Sequence, residues 1–103
     1  MINLSTEHLQ LVRNILLKHV PNNEVWIFGS RITDKIKPYS DLDLVVISKF
    51  PLAIMTMALM KEEFSESNLP FKVDILDWTQ ITPEFKQVIE TQHEVITPFK
   101  SEN

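Results

Sequence analysis

The stretch Phe28–Val46, FGSRITDKIKPYSDLDLVV, combines the features on which the predicted fold rests. It begins at the end of an apolar run, passes through the chain's one glycine, Gly29, and ends in a second apolar run that carries Asp41 and Asp43. A glycine is used where the backbone must bend sharply or come close to a ligand. Two carboxylates one residue apart in a strand project from the same face. The stretch therefore predicts a strand, a tight turn and a second strand with an acidic face.

The composition of the 103-residue chain predicts a single domain with a real core, since 44% of its residues are hydrophobic. Its net charge of −4 makes direct nucleic-acid binding unexpected, because such binding depends on basic side chains that neutralise phosphates. The chain has no cysteine, which fits a reducing compartment. No segment resembles a signal peptide or a membrane span. We therefore expect a cytoplasmic protein that does not contact membranes.

Periodicity and turn signals on either side of the opening stretch predict the order α-β-β-α-β-α, with a short edge strand possible over 95–98. In the helix that we expect after Pro51, the apolar spacing assigns Leu52, Met55, Leu59 and Phe64 to the core. The order predicts an α/β, or α+β two-layer, domain over residues 1–99, with a small mixed sheet, helices packed on it and a disordered tail over 100–103. The helices are expected over 5–19, 51–67 and 82–93, and the strands over 25–28, 41–48 and 71–76.

The third predicted strand carries one further carboxylate, Asp74. If this strand pairs beside the second, Asp74 comes within about 5 Å of Asp41 and Asp43. Three carboxylates that close repel one another unless a cation or a proton intervenes, and such hard oxygen ligands favour Mg²⁺. The turn at Gly29 and Ser30 would offer backbone N–H groups and a hydroxyl to phosphate oxygens. The sequence thus predicts a nucleotide-and-metal site.

Each of these features also has an ordinary interpretation. Gly29 and Ser30 alone are typical of a turn that ends a strand, and Asp41 and Asp43 alone are typical of a solvated strand face. Asp74 could be a surface acid paired with a neighbouring lysine. Asp77 is expected to be a loop or helix-start residue rather than a ligand. The combination and its spacing favour the site.

The pattern Gly29-Ser30, ten residues, then Asp41-Leu42-Asp43 resembles the signature of the nucleotidyltransferase superfamily related to DNA polymerase beta. The Gly-Ser-Arg start, the short chain and Ser40 just before the first aspartate are similar to its minimal nucleotidyltransferase (MNT) branch. Within that branch the resemblance covers almost the whole chain. It implies the nucleotidyltransferase fold and transfer of AMP from ATP to a hydroxyl group.

The resemblance implies roles for the matching residues. Gly29 and Ser30 would hold the triphosphate, and Asp41 and Asp43 would bind two Mg²⁺ ions. Asp74 would bind one of those ions and help to deprotonate the attacking hydroxyl. That hydroxyl would attack the α-phosphorus of ATP in line and release pyrophosphate.

Two further residues are expected at the nucleotide. Arg31 would lie near the β- and γ-phosphates, although it could instead pair with Asp34 or Asp41. Ser40 would contact the nucleotide, unless it only makes a local turn hydrogen bond. Asp34 stands where many relatives have a glycine, which bears on the shape of this loop.

Larger relatives add a helical domain that holds the acceptor substrate, and we expect none in this chain. In the MNT branch, the resemblance implies a separate helical partner, an RNase toxin of the HEPN class, which the MNT protein neutralises as an antitoxin by adding AMP to a tyrosine. One alternative is a non-catalytic antitoxin that silences its partner by binding. Another is a subunit of a transferase for a small hydroxylated molecule such as an aminoglycoside.

Overall fold

A computed structural model of the chain describes residues 2–33 and 40–97. Within these residues, three α-helices and four β-strands follow one another in the order αββαβαβ. The predicted order is confirmed, including the short last strand. The elements are α1 (Thr6–His19), β1 (Glu24–Phe28), a 3₁₀ turn (Gly29–Ile32), β2 (Leu42–Ile47), α2 (Ile54–Glu66), β3 (Val73–Asp77), a 3₁₀ turn (Trp78–Gln80), α3 (Pro83–Thr91) and β4 (Glu94–Thr97).

The described strands form one mixed sheet in the order β3-β2-β1-β4. Strand β2 runs antiparallel to β1 and parallel to β3, and β4 runs antiparallel to β1 at the edge. A parallel pair needs a crossover connection, and α2 supplies it between β2 and β3. Strand β2 is therefore flanked by β1 and β3, and Asp43 lies near its N-terminal end.

The two faces of the sheet are covered by different helices. On one face, which we call the α1–α2 face, Leu42, Leu44 and Val46 of β2 pack into a core with α1 and α2. On the other, the α3 face, Val45 packs with Ile89 of α3. The predicted alternation of β2 and the mixed sheet with helices packed on it are both confirmed. The structure adds to the two predicted layers, because the short helix α3 covers part of the second face of the sheet.

The helix ends follow the capping signals in the sequence. The Ser5 hydroxyl accepts a hydrogen bond from the His8 N–H at 3.1 Å, and α1 begins at the next residue after Ser5. The Thr82 hydroxyl does the same for the Phe85 N–H at 3.2 Å, and Pro83 occupies the first position of α3. A cap of this kind contributes about 1 kcal/mol. Both helix starts are as predicted.

Helix α2 differs from the prediction in its start and in the side that it buries. It begins three residues after Pro51, and the side chains of Met60 and Phe64 are only 0% and 5% exposed. Met55 and Leu59, expected in the core, are exposed instead. Because the helix repeats every 3.6 residues, only one stripe can face the sheet, and apolar residues occur on both sides of this helix. The assignment of Met55 and Leu59 to the core was therefore wrong.

No helix within residues 2–33 and 40–97 is long and apolar enough to cross a membrane. The predicted tail at 100–103 lies outside the described residues. So do Asp34 and most of the loop that precedes Ser40.

Candidate active site

The carboxylates of Asp41, Asp43 and Asp74 lie near the N-terminal end of β2. Asp41 immediately precedes β2, and Asp43 is its second residue. In the register of the sheet, Asp43 is paired with Phe28 of β1 on one side and with Asp74 of β3 on the other. A backbone hydrogen bond of 2.8 Å from the Leu42 N–H to the Lys72 carbonyl fixes the start of this pairing. The predicted pairing that brings Asp74 beside Asp43 is confirmed.

The turn after β1 is fitted closely to Asp43. Gly29 has φ = +83°, a left-handed conformation that residues with a side chain rarely adopt. A Cβ atom at this position would lie 2.4 Å from the Oδ2 atom of Asp43. Glycine is therefore required both by the turn and by the carboxylate beside it. The turn continues through Ser30, whose carbonyl accepts hydrogen bonds from the Thr33 N–H and hydroxyl, each at 3.1 Å.

The electrostatics of the site are concentrated on Asp43. Partial burial raises the pKa of this carboxyl, and the charges of Asp74 and Asp41 raise it further. The Asp74 side chain is 42% exposed and forms an ion pair with Lys72, with 3.6 Å between Nζ and Oδ1. A charge of opposite sign close to Asp43 would relieve both causes of its raised pKa.

The chemistry of these side chains fits a hard divalent cation, since Mg²⁺ prefers carboxylate oxygens and completes its shell with waters and phosphates. The close contact of Gly29 with Asp43 places that carboxylate beside the turn. Within the described part of the chain, however, no three acidic, histidine or cysteine side chains converge on one point. Asp74 is directed to Lys72 instead.

An open cavity of about 450 Å³ lies against Asp43 and Asp74. Its walls include residues that the sequence analysis did not select. Lys61 comes from α2 and Phe85 from α3, and the Phe85 ring meets the Phe28 ring edge to face at 5.6 Å. No local motif marks these two residues, because only the packing of both helices around β3 brings them to the cavity. The lining consists of Phe28, Asp43, Lys61, Lys72, Val73, Asp74, Ile75, Leu76 and Phe85.

Arg31 is buried, with 7% of its surface exposed. Its Nε and Nη2 atoms donate to the Ser40 carbonyl at 3.2 and 2.9 Å, and its Nη1 atom donates to the Asn3 carbonyl at 3.1 Å. The same burial lowers the pKa of the guanidinium below its ordinary value. This placement differs from the phosphate contact that the resemblance implies. Ser40 accepts two of these hydrogen bonds through its backbone carbonyl.

Asp77 has the structural role expected for it. Its Oδ1 atom accepts hydrogen bonds from the N–H and hydroxyl of Thr79 at 2.9 and 2.7 Å, and caps the 3₁₀ turn. Its Oδ2 atom accepts one from the Leu52 N–H at 2.8 Å. Burial raises the pKa of Asp77, but these hydrogen bonds lower it by more, so that the net pKa is below its usual range.

Comparison with known proteins identifies the family of the chain. Residues 10–101 match the family described as "Polymerase beta, Nucleotidyltransferase". The chain is 44% identical over 95 residues to a Haemophilus influenzae protein named "Probable protein adenylyltransferase MntA", and the match covers 92% of this chain and 83% of that protein.

Two solved structures have the same fold. One is a toxin–antitoxin complex with AMP-PNP, with a TM-score of 0.70, 20% identity and coverage of 89% of this chain and 73% of that chain. The other is a tri-AMPylated Shewanella oneidensis HEPN toxin in complex with an MNT antitoxin, with a TM-score of 0.61, 24% identity and coverage of 85% and 71%. The predicted family and fold class are confirmed, and the chain belongs to the polymerase beta nucleotidyltransferase family.

Proposed function

We propose that the chain is a Mg²⁺-dependent adenylyltransferase that acts as an antitoxin. It transfers AMP from ATP to a hydroxyl group of a HEPN-class toxin, and we expect that hydroxyl to belong to a tyrosine. The observation that carries the proposal is the juxtaposition of Asp43 with Gly29 and Asp74 at one end of the sheet. The 44% identity to a protein named as an adenylyltransferase supports it. The cytoplasmic location expected from the sequence belongs to the same proposal.

In this mechanism each residue of the site has a separate role. Asp41 and Asp43 would hold the metal, together with Asp74 once its carboxylate leaves Lys72. Bound Mg²⁺ would offset the charge of the triphosphate and of the carboxylates. The backbone of Gly29 and Ser30 would hold the phosphates.

At the α-phosphorus, the reaction forms one P–O bond and breaks another. The acceptor oxygen bonds to the α-phosphorus of ATP while the bond from that phosphorus to the oxygen bridging the α- and β-phosphates breaks, and pyrophosphate leaves. Asp74 would take up the proton of the hydroxyl, because it lines the cavity from which an acceptor can approach.

The test is to co-express the chain with a HEPN-class partner encoded beside it and to weigh that partner by intact-mass spectrometry. We expect a partner heavier by whole AMP units with the native chain, and an unmodified partner with Asp41→Asn or Asp43→Asn. An unmodified partner that still binds the native chain tightly would favour the non-catalytic antitoxin. No complex with the partner would favour a small hydroxylated acceptor.

A further inference from the structure

Arg31 is a buried cation that joins three segments around the carboxylates. Its guanidinium holds the carbonyls of Ser40 and Asn3 and stacks on the Phe71 ring, with 4.2 Å from Cζ to the ring centroid. Burying a guanidinium is costly unless its N–H groups are satisfied. Here three N–H groups are used on backbone carbonyls, and the aromatic face contributes a cation–π contact.

Two of these contacts lead to the carboxylates within one to three residues. The Ser40 carbonyl belongs to the peptide that joins Ser40 to Asp41, so the Arg31 fork fixes the backbone at the first carboxylate. Phe71 precedes Lys72, whose carbonyl pairs with the start of β2, and Asp74 follows three residues after Phe71. Arg31 thus lies between the entries to both strands that carry the acidic residues.

The third contact ties in the N-terminal segment. The Asn3 N–H donates to the Arg31 carbonyl at 2.7 Å, and the Asn3 side chain donates to the Thr33 carbonyl at 2.9 Å. Arg31 and Asn3 therefore exchange hydrogen bonds in both directions. This mutual pairing immobilises the turn that begins at Gly29.

The orientation of Arg31 argues against contact with a nucleotide. The Phe71 ring under its guanidinium packs against the core of the α1–α2 face. Asp43 lies in register with Phe28, which packs on the α3 face. The guanidinium and the Asp43 carboxylate are therefore directed to opposite sides of the sheet.

We propose, on the basis of the proposed function, that Arg31 is a positioning residue that does not contact the nucleotide. Arg31 fixes the backbone between Ser40 and Asp41 so that the carboxylates can bind a divalent cation. Residues that orient metal ligands typically change metal affinity or activity by roughly 10–100-fold when they are replaced. The proposal assigns Arg31 to that class.

The test uses Arg31→Gln, Arg31→Lys and a matched control, Arg13→Gln. Arg13 also donates from Nε to a distant backbone carbonyl, that of Ile96 at 2.9 Å, but it joins α1 to β4 at the far edge of the sheet. Binding of Mn²⁺ to the isolated chain is followed by electron paramagnetic resonance. Binding of ATP in EDTA is measured separately by calorimetry.

We expect Arg31→Gln to weaken Mn²⁺ binding by roughly tenfold or more, with metal-free ATP affinity changed by less than about twofold. Arg31→Lys should recover part of the Mn²⁺ affinity, because an ammonium can still reach one or both carbonyls. Arg13→Gln should bind Mn²⁺ like the native chain. In transfer assays, Arg31→Gln should lower kcat with little change in the KM for ATP.

Native Mn²⁺ affinity in Arg31→Gln would overturn the proposal, and so would a selective loss of metal-free ATP binding, which would assign Arg31 to the phosphates. The nuclear magnetic resonance shift of the Asp41 amide, recorded without metal, keeps the test independent of the proposed function. A shift in Arg31→Gln and none in Arg13→Gln supports the positioning role, and no shift in either contradicts it. If the native chain binds no Mn²⁺, the metal site fails while this readout still decides the role of Arg31.

Discussion

The Oδ2 atom of Asp43 fills the space into which a Cβ atom at Gly29 would project, since the two would lie 2.4 Å apart. The Gly-Ser pair and the Asp-Leu-Asp triplet of the motif are therefore in direct contact as well as at a fixed spacing. Because β1 and β2 are antiparallel and Phe28 is paired with Asp43, the residue after Phe28 must turn away beside that carboxylate. The spacing of the motif therefore reflects how the end of β1 packs against the start of β2.

Gly29→Ala should be strongly harmful to the site. The left-handed backbone costs a residue with a Cβ about 1–2 kcal/mol, and the new methyl group must also displace the Asp43 carboxylate. We expect the free energy of unfolding to fall by roughly 1–3 kcal/mol. AMP transfer should fall at least about tenfold, because a small misplacement of a catalytic group is costly. Urea unfolding and the intact-mass assay measure the two effects.

A double-mutant cycle with Asp43→Ala separates the two causes. The Cβ atom of residue 43 lies 3.5 Å from the projected Cβ at Gly29, an ordinary contact, so Asp43→Ala removes the clash, and the cycle cancels the separate effect of removing the charge. Gly29→Ala should then cost less stability in the Asp43→Ala chain than in the native chain. An equal cost in both would mean that backbone strain alone explains the glycine.

The sequence was informative wherever local chemistry decides the structure. The caps at Ser5 and Thr82 depend on short-range signals, and they were predicted. The alternation of β2 was predicted from its apolar spacing, whereas the parallel pairing that brings Asp74 beside Asp43 joins distant parts of the chain and entered the prediction only as a condition. The buried stripe of α2 was predicted only at Phe64, because Met55 and Met60 are equally apolar and only the tertiary contact with the sheet distinguishes them.

Arg31 shows a second limit of sequence reasoning. Its partners are the carbonyls of Asn3 and Ser40, which are 28 and 9 residues away. Backbone carbonyls carry no sequence signal, so no pattern could show that this arginine donates to the backbone of Asn3 and Ser40. Lys61 and Phe85 reach the carboxylate cavity in the same way, through the packing of their helices.

Asp43→Asn should stabilise the metal-free protein at neutral pH. The folded pKa of Asp43 is raised above its ordinary value of 3.8, so that the folded chain binds a proton more readily than the unfolded chain. Stability therefore falls as the pH rises from the ordinary to the raised value, and the full cost is present above that window. The gain from Asp43→Asn should disappear below about pH 3.8.

Urea unfolding in EDTA at neutral and at acidic pH measures this effect. Glu90→Gln makes the same charge change on the exposed surface of α3 and should show no such gain. Addition of Mg²⁺ with a non-hydrolysable ATP analogue should reverse the order, because ligand binding stabilises only a chain that binds it. A native chain that is more stable than Asp43→Asn in EDTA would contradict the prediction.

Lys72→Met should strengthen binding of a divalent cation. The Lys72 ammonium lies 3.6 Å from Asp74 and competes with a metal for that carboxylate. Exposed ion pairs contribute at most about 1 kcal/mol, so we expect a gain in Mn²⁺ affinity of up to about fivefold. Lys18→Met breaks a comparable pair with Glu63 between α1 and α2 and should leave the affinity unchanged. Weaker Mn²⁺ binding in Lys72→Met alone would mean that Lys72 helps to hold Asp74 in place.

Asp77→Asn should destabilise the fold without weakening metal binding. The carboxylate accepts hydrogen bonds from Leu52 and Thr79, and hydrogen bonds to a charged group contribute roughly 1–3 kcal/mol. Because the folded pKa of Asp77 lies below its ordinary value of 3.8, this stabilisation is present above that value and is lost as the pH falls through the folded pKa.

The difference in free energy of unfolding between the native chain and Asp77→Asn should therefore be full at pH 7 and should shrink below about pH 3.8. Thr79→Ala, which removes only the hydroxyl donor to the same Oδ1 atom, should cost less than Asp77→Asn. Mn²⁺ titration of both variants at neutral pH completes the test. A loss of Mn²⁺ affinity in folded Asp77→Asn, with native affinity in Thr79→Ala, would make Asp77 a fourth acidic residue of the metal site.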